Sequence, residues 1–350
     1  MARHNLSKLT GSLDIARDGG QPSPMPPPPP PPPRRVRPPR LSRLLRQRAG
    51  AAFLLVAGWL AGARHLAAQP AVAADLWRIA AGTLVVPPAL ADDGSAPLWT
   101  PAVILPASGA GLRVGIEAIH SPSEIGVNGG IATLGLRAGR LGTVSLVYGR
   151  MGVDGLVRTE TSPEAIGGDI DVYNEVLSAG LARTLGGGFT AGIAARAMSG
   201  RLDIANASQF GLDLGLRYAA SSHLALGACT RFFDPALRAA ESAASYSVAA
   251  SYRTAEGQLW GTTASLRVWY GAGWAHGEGT QHLLTVGLAL GGVAEVDIGA
   301  AREETAGFEV WRSRLGISLD VGRYRVNLGR DGGVNGFGAT YRLGLAAGLM

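Results

Sequence analysis

The side chains best equipped for chemistry in this sequence fall into a few short clusters. The first question is whether any of them has the spacing a reaction needs. His120-Ser121-Pro122-Ser123-Glu124 gathers an imidazole, two hydroxyls and a carboxylate, the groups of a nucleophilic relay. Consecutive residues of one loop rarely converge on a single reacting atom, so a turn is the expected reading. Gly332-Gly-Val-Asn-Gly-Phe-Gly338 has the glycine content of a phosphate loop, but strand patterns flank it and no helix follows, which makes it a hairpin connection. Arg302-Glu303-Glu304 reads as a solvated loop. Cys229 is the only cysteine, which rules out an intrachain disulfide and argues against a cysteine-based metal site. It shares a face with Gly227 and Arg231 and reads as a small passive residue. No phosphate loop, zinc-ligand spacing or nucleophile elbow occurs elsewhere. The sequence thus predicts no catalytic residue, no metal site and no cofactor.

The elements that must carry these residues are strands. From about residue 111 onward one pattern recurs. Phe210, Leu212, Leu214, Leu216 and Tyr218 alternate with Gly211, Asp213, Gly215 and Arg217. Trp311, Leu315, Ile317 and Leu319 lie opposite Arg312, Arg314, Ser318 and Asp320, and Tyr324, Val326 and Leu328 lie opposite Arg323, Arg325 and Asn327. Tyr341, Leu343 and Leu345 lie opposite Arg342 and Gly344. A period of two with one apolar face is a strand signature. Fourteen segments show it: 111–120, 129–138, 142–150, 171–183, 187–199, 207–218, 222–232, 241–253, 258–270, 281–290, 292–301, 306–320, 322–330 and 336–349. Each is close to the ~9–11 residues that cross a bilayer as a tilted strand, and the connections alternate between tight turns and longer loops such as 151–170, 233–240 and 271–280. In a soluble sandwich the charged face would be the outer one. Here the charged face alternates with an almost purely aliphatic one, which suits a barrel with lipid outside and charges in the lumen. The fold class is therefore all-β, a closed transmembrane antiparallel barrel over 111–350. Its lumen-facing charges are Arg113, Arg137, Arg196, Asp213, Arg217, Arg267, Arg312, Arg314, Arg323 and Arg325.

The formal charge of +6 does not make this a nucleic-acid protein. Eleven of the 32 Lys and Arg lie in residues 1–68 with only two of the 26 Asp and Glu, which leaves 21 against 24, a net of −3, for the rest. Residues 1–40 are low-complexity, with eight prolines at 26–33, and the translation start is expected downstream of them. Residues 41–73 read as a signal peptide. The basic region is Arg43, Arg46 and Arg48, the apolar core is 49–63, and cleavage falls between Ala68 and Ala74. Export to the outer membrane of a bacterium follows.

Residues 74–110 do not alternate. Trp77, Leu84, Val85, Val86, Leu98 and Trp99 call for burial, while Pro87, Pro88, Pro97 and Pro101 forbid a continuous strand or helix. A segment of this kind can fill a lumen. Its centre, from Leu90 through Asp92-Asp93-Gly94-Ser95-Ala96-Pro97-Leu98-Trp99-Thr100-Pro101 to Ala102, resembles the N-terminal motif of the PorV/PorQ family, relatives of FadL-type fatty-acid transporters. The match is Asp92, Asp93, Ser95, Ala96, Trp99, Pro101 and Ala102, with Thr100 where that family has Asn. The resemblance implies a hatch folded into the barrel mouth. A lumen whose inward charges are mostly arginine needs partners, so Asp92 and Asp93 are expected to meet inward arginines among Arg113, Arg137, Arg196, Arg217 and Arg267. It also implies one of two roles: passage of small hydrophobic molecules, or a type IX secretion barrel that binds secreted cargo. Short loops favour the first. A lipid-modifying enzyme is a third reading. The partners expected are outer-membrane lipid, a hydrophobic small molecule or a secreted cargo protein, and the barrel-assembly machinery, with no nucleic acid.

Overall fold

A computed structural model describes residues 73–103, 111–123, 126–158, 168–233, 244–275, 279–305, 308–333 and 338–349. The low-complexity stretch 1–40 and the expected signal peptide up to residue 72 lie outside the described residues.

The alternating segments form β1 (Leu112–His120), β2 (Gly126–Arg137), β3 (Thr143–Asp154), β4 (Val172–Gly186), β5 (Phe189–Leu202), β6 (Ala205–Ala219), β7 (Leu224–Arg231), β8 (Ser245–Arg253), β9 (Gly257–Leu259), β10 (Thr262–Ala275), β11 (Thr280–Leu290), β12 (Ala294–Thr305), β13 (Phe308–Val321), β14 (Tyr324–Asp331) and β15 (Thr340–Leu349). Every pairing is antiparallel between neighbours in the chain, and β1 pairs with β15 from Leu112↔Leu349 to His120↔Tyr341, which closes the barrel. β8 and β9 lie along the same edge of β10 (Arg267↔Arg253, Thr262↔Leu259), so they are two pieces of one wall strand. The wall therefore has fourteen strands, one for each alternating segment. The pairing of β1 with β15 joins the two end strands of the sheet, as a bilayer requires.

The two ends of the barrel differ. Connections 138–142, 187–188, 220–223, 260–261, 291–293 and 322–323 are short, and their glycines supply the left-handed backbone that two-residue hairpins need, as at Gly291 (φ 59°) and Gly292 (φ 67°). At the other end connections reach the length of 155–171 and 232–244. Strands run past their expected ends at this long-connection end. β3 continues to Asp154, β10 continues to Ala275 in place of the loop expected at 271–280, and β12 continues to Thr305 through Arg302-Glu303-Glu304. On β3 the outward residues there turn polar (Arg150, Asp154), and on β10 the small residues Gly271, Ala272 and Gly273 break the alternation ahead of the outward Trp274, while the hydrogen-bonded ladder goes on.

The faces follow the alternation. Leu214, Leu216, Leu315, Leu319, Leu343 and Leu345 are exposed outside the wall, whereas Asp213, Arg314 and Arg342 are buried inside it. Exposed aromatic rings border this aliphatic band, with Tyr148, Tyr270, Trp274, Trp311 and Tyr341 toward the long connections and Phe189, Tyr252 and Tyr324 toward the short turns. From Trp311 to Val321, which pairs with Tyr324, is ten residues. That corresponds to ~33 Å along a strand and ~25 Å across a membrane at a ~40° tilt. Among the described residues no helix is long and apolar enough to cross a membrane.

Candidate functional site

Residues 73–103 lie inside the barrel. Their apolar side chains need burial and their prolines preclude a strand, so the chain folds as short pieces: α1 (Leu76–Gly82), a single 3-10 turn Pro88–Leu90, and α2 (Ala96–Trp99) with Pro97 in its first turn. α1 stops at Gly82-Thr83, where the Thr83 hydroxyl donates to the Ala80 carbonyl at 2.7 Å. Trp77, Leu84, Leu90, Leu98, Trp99, Thr100 and Ala102 are all buried.

A chain with so little regular structure leaves main-chain carbonyls without internal partners, and the wall supplies donors for them. Arg314 donates to Leu84 O (2.9 Å), Thr285 to Val85 O (2.6 Å), Arg217 to Leu90 O (3.4 Å) and Thr133 to Gly94 O (2.6 Å). Arg113 donates to Asp92 O (3.3 Å), Arg196 to Leu98 O, and the Cys229 thiol contacts Trp99 O at 3.5 Å. The forked guanidinium of Arg196 or Arg314 reaches a carbonyl of the inner segment while keeping a carboxylate partner on the wall.

Where a donor is not needed the wall is bare. A Cβ at Gly149 would lie 2.5 Å from the Trp77 ring, at Gly227 2.6 Å from Ala89 O, at Gly316 2.7 Å from Val85, and at Gly215 2.8 Å from Ala102 N. Glycine at these inward positions lets the inner segment lie directly on the wall.

Ion pairs complete the seat. Arg196 and Asp213 pair with both side chains wholly buried, and Arg196 also covers the Phe232 ring at 4.8 Å. Arg342 holds Glu117 (2.5 Å) and Asp93 (2.9 Å) and contacts the Ser95 hydroxyl, which accepts from the Trp99 indole at 2.6 Å. Arg312 joins Glu303 to Asp331, Arg314 pairs with Asp331 at 3.1 Å, and Glu303 also takes Arg78 of α1 at 2.8 Å. Glu295 faces both Arg267 (3.2 Å) and Arg325 (3.6 Å). Removing one member of such a buried pair strands the other, which is why these contacts are costly to break singly.

The expected site residues are thus distributed as follows. Arg113, Arg137, Arg196, Asp213, Arg217, Arg267, Arg312, Arg314 and Arg325 occupy inward positions. Arg323 does not. It sits in the tight turn between β13 and β14, exposed, donating to the Tyr324 hydroxyl and lying over its ring. Asp93 meets Arg342 rather than any of the five arginines expected for it. Asp92 is met through its carbonyl, by Arg113, and its exposed side chain lines the lumen cavity, where its charge acts on Arg217, one of the five expected, and on Arg325. Ser95, Trp99, Thr100 and Pro101 lie against the wall, and the Thr100 hydroxyl takes the Ala102 amide at 3.3 Å. Glu117, Arg342, Asp331, Glu295, Thr133 and Thr285 were not singled out from the sequence, although their inward parity in the alternation would have found them. Arg302-Glu303-Glu304 is not the solvated loop expected: it continues β12, and Glu303 is buried between Arg78 and Arg312. His120 points outward, bonded to Asn128, while Ser121 is buried, and Glu124 lies outside the described residues. The imidazole and the nearest hydroxyl of that cluster are split between two faces. Of 332–338, residues 334–337 lie outside the described residues, and the rest joins β14 to β15.

The lumen has two characters. On β1–β5 the inward side chains toward the long connections are mostly apolar: Ile119, Val127, Ile131, Val147, Met151, Val176 and Met198 form one cluster with Leu76, Trp77 and Ala80 of α1, and the polar Asn174 among them takes the Trp77 indole. On β10 and β12–β15 they are charged, and a cavity of about 50 Å³ remains there beside Val85 and Asp93, lined by Arg267, Glu295, Asp297, Arg325 and Asn327 among others.

No family model and no curated protein matches this chain. Solved structures similar to it include the Pseudomonas putida toluene transporter TodX, at 12% identity over 80% of this chain and 96% of that one with a TM-score of 0.46. The Acinetobacter baumannii outer membrane protein Omp33 is 10% identical over 69% of this chain and 99% of its own, with a TM-score of 0.38. For CdiB from Acinetobacter baumannii the figures are 10%, 68% of this chain and a TM-score of 0.39, and the match spans only 60% of that chain.

Proposed function

We propose that this chain is a bacterial outer-membrane barrel that passes small hydrophobic molecules, with residues 73–103 as the hatch that controls the lumen. The aliphatic band and its two aromatic borders support a bilayer setting, with the long connections on the cell exterior. The observation that carries the hydrophobic substrate class is the apolar inward sector of β1–β5. A water-filled porin lumen is polar throughout. Here seven inward apolar side chains form one cluster with the apolar helix α1, and movement of α1 would uncover part of that apolar surface inside the barrel. On the other side of α1, the ion pair between Arg78 and Glu303 of β12 ties the helix to the charged part of the wall.

The test is uptake into proteoliposomes of a labelled monoaromatic hydrocarbon and of a sugar of similar mass. The hydrocarbon should be taken up above the protein-free rate, and Met151→Glu should suppress that gain. Equal or faster passage of the sugar would overturn the proposal. The PorV/PorQ kinship and its cargo-binding role rest on the motif around Asp92 and Trp99 alone.

A further inference from the structure

The direction in which the lumen segment runs is set by its partners. At its start, the Trp77 indole donates to Asn174 at 2.7 Å, and Asn174 is the third residue of β4, just below the long connection 155–171. Arg78 pairs with Glu303, the third residue from the end of β12, at that same end of the barrel. Further along, Leu90 is held by Arg217, the third residue from the short-turn end of β6, and Asp92 by Arg113, the second residue of β1. The segment therefore descends the whole barrel, from the long-connection mouth at residue 73 to the short-turn end where β1 begins. Its last described residue, Val103, is eight residues from Gly111, so that end is tethered within ~28 Å of extended chain. Ala73 and Ala74 are half-buried against the apolar cluster, and Asp75 is exposed.

We propose that residues 73–75 open onto the outer surface of the cell, so that the segment spans the barrel from exterior to periplasm with its amino-terminal side outermost. Two consequences distinguish this from a hatch entered and left on the periplasmic side. α1 is the first element that a molecule arriving from outside meets. It also lies at the end of the segment remote from the tether to β1. Access to the apolar sector then comes from lifting α1 toward the external mouth, with the wall-bound stretch from Leu84 to Ala102 left in place. This rests on the assignment of the long connections to the exterior, and the test separates the two.

Cys229 is buried, so a thiol introduced elsewhere reports alone. Asp75→Cys is compared with Ile204→Cys, in the turn between β5 and β6 at the long-connection end, and Trp260→Cys, at the tip of the short-turn end; Ile204 and Trp260 are 82% and 88% exposed. Intact cells producing the full chain are treated with a membrane-impermeant maleimide, and each variant is checked for the heat-modifiable mobility of a folded barrel. The thiols introduced at positions 75 and 204 are expected to label in intact cells as fully as after permeabilisation, and the thiol at position 260 to label only after it. If Asp75→Cys does not fold, Ala74→Cys replaces it. Labelling of position 75 only after permeabilisation, with position 204 reactive in intact cells, overturns the threading. Exchange of the patterns at 204 and 260 would show that the ends were assigned backwards, and the proposal would fall with that assignment. Neither result depends on what the barrel transports.

Discussion

The bare inner wall can be tested at Gly227. A Cβ there would stand 2.6 Å from the Ala89 carbonyl oxygen and 3.1 Å from its carbon. Both are main-chain atoms of the turn Pro88–Leu90, so no rotamer change relieves the contact, and the turn must lift. Lifting also stretches the bond from Arg217 to Leu90 O, already 3.4 Å. Overpacking of this kind costs ~1–3 kcal/mol, and the entropy alanine removes from the unfolded chain does not enter, because β7 is folded whether or not the segment is seated. Gly227→Ala should therefore disfavour the seated state by about 1–3 kcal/mol, a ~5–150-fold rise in the unseated population. Hydrogen exchange reads this directly, because the amides of Leu90 and Ala91 are protected by Pro87 O (2.9 Å) and Pro88 O (3.2 Å). The rate for a peptide covering this turn should rise by that factor, while peptides from β12 and β13 are unchanged. Gly130→Ala, on the outer face with its nearest atom at 3.4 Å, is the control and should leave the rate alone. Equal exchange in Gly227→Ala and the parent would refute the idea that glycine is there to admit the segment.

Other outcomes follow from the same geometry. Arg196→Met leaves the wholly buried Asp213 carboxylate without its cation and should cost ~3–5 kcal/mol in denaturant unfolding. Adding Asp213→Leu should recover most of that loss, and a double variant as unstable as the single one would show the two are not coupled. Leu315→Arg, outward in the aliphatic band, should cost ~2–4 kcal/mol in lipid. Gly215→Arg should instead leave the wall folded and expel the inner segment, since Ala102 and Thr100 occupy that space; a stable barrel with the segment still protected from exchange would count against this. Asp92→Ala should change stability by less than ~0.5 kcal/mol, because its exposed side chain leaves the carbonyl to make the contact with Arg113. Asp93→Ala should speed exchange around α2 by removing the ion pair with Arg342, and equal effects of the two would contradict the assignment.

The wall was legible in the chain alone. A period of two is local, carried by neighbours such as Leu214 and Gly215 or Arg314 and Leu315, and it fixes which face is lipid and which is lumen once one face is aliphatic. Fourteen strands follow from it, and so does the inward parity of every expected lumen arginine except Arg323, which lies in the turn between β13 and β14 because β14 begins two residues later than the expected 322. Strand ends were less legible, since the ladder runs on where the outward residues of β3 turn polar and through the small residues 271–273 of β10. The filling of the lumen arises from contacts distant in the chain. Parity says that Arg113, Arg196, Arg217 and Arg314 point inward, but not that they would bind main-chain carbonyls, because carbonyls leave no mark in a sequence. Asp93 and Arg342 lie 249 positions apart and become neighbours only when β15 closes against β1. The inward glycines look like composition until Ala89, Val85 and Ala102 are seen lying on them. The direction of the inner segment likewise has no local signature, and it is set by which strand ends Trp77, Arg78 and Leu90 find across the barrel.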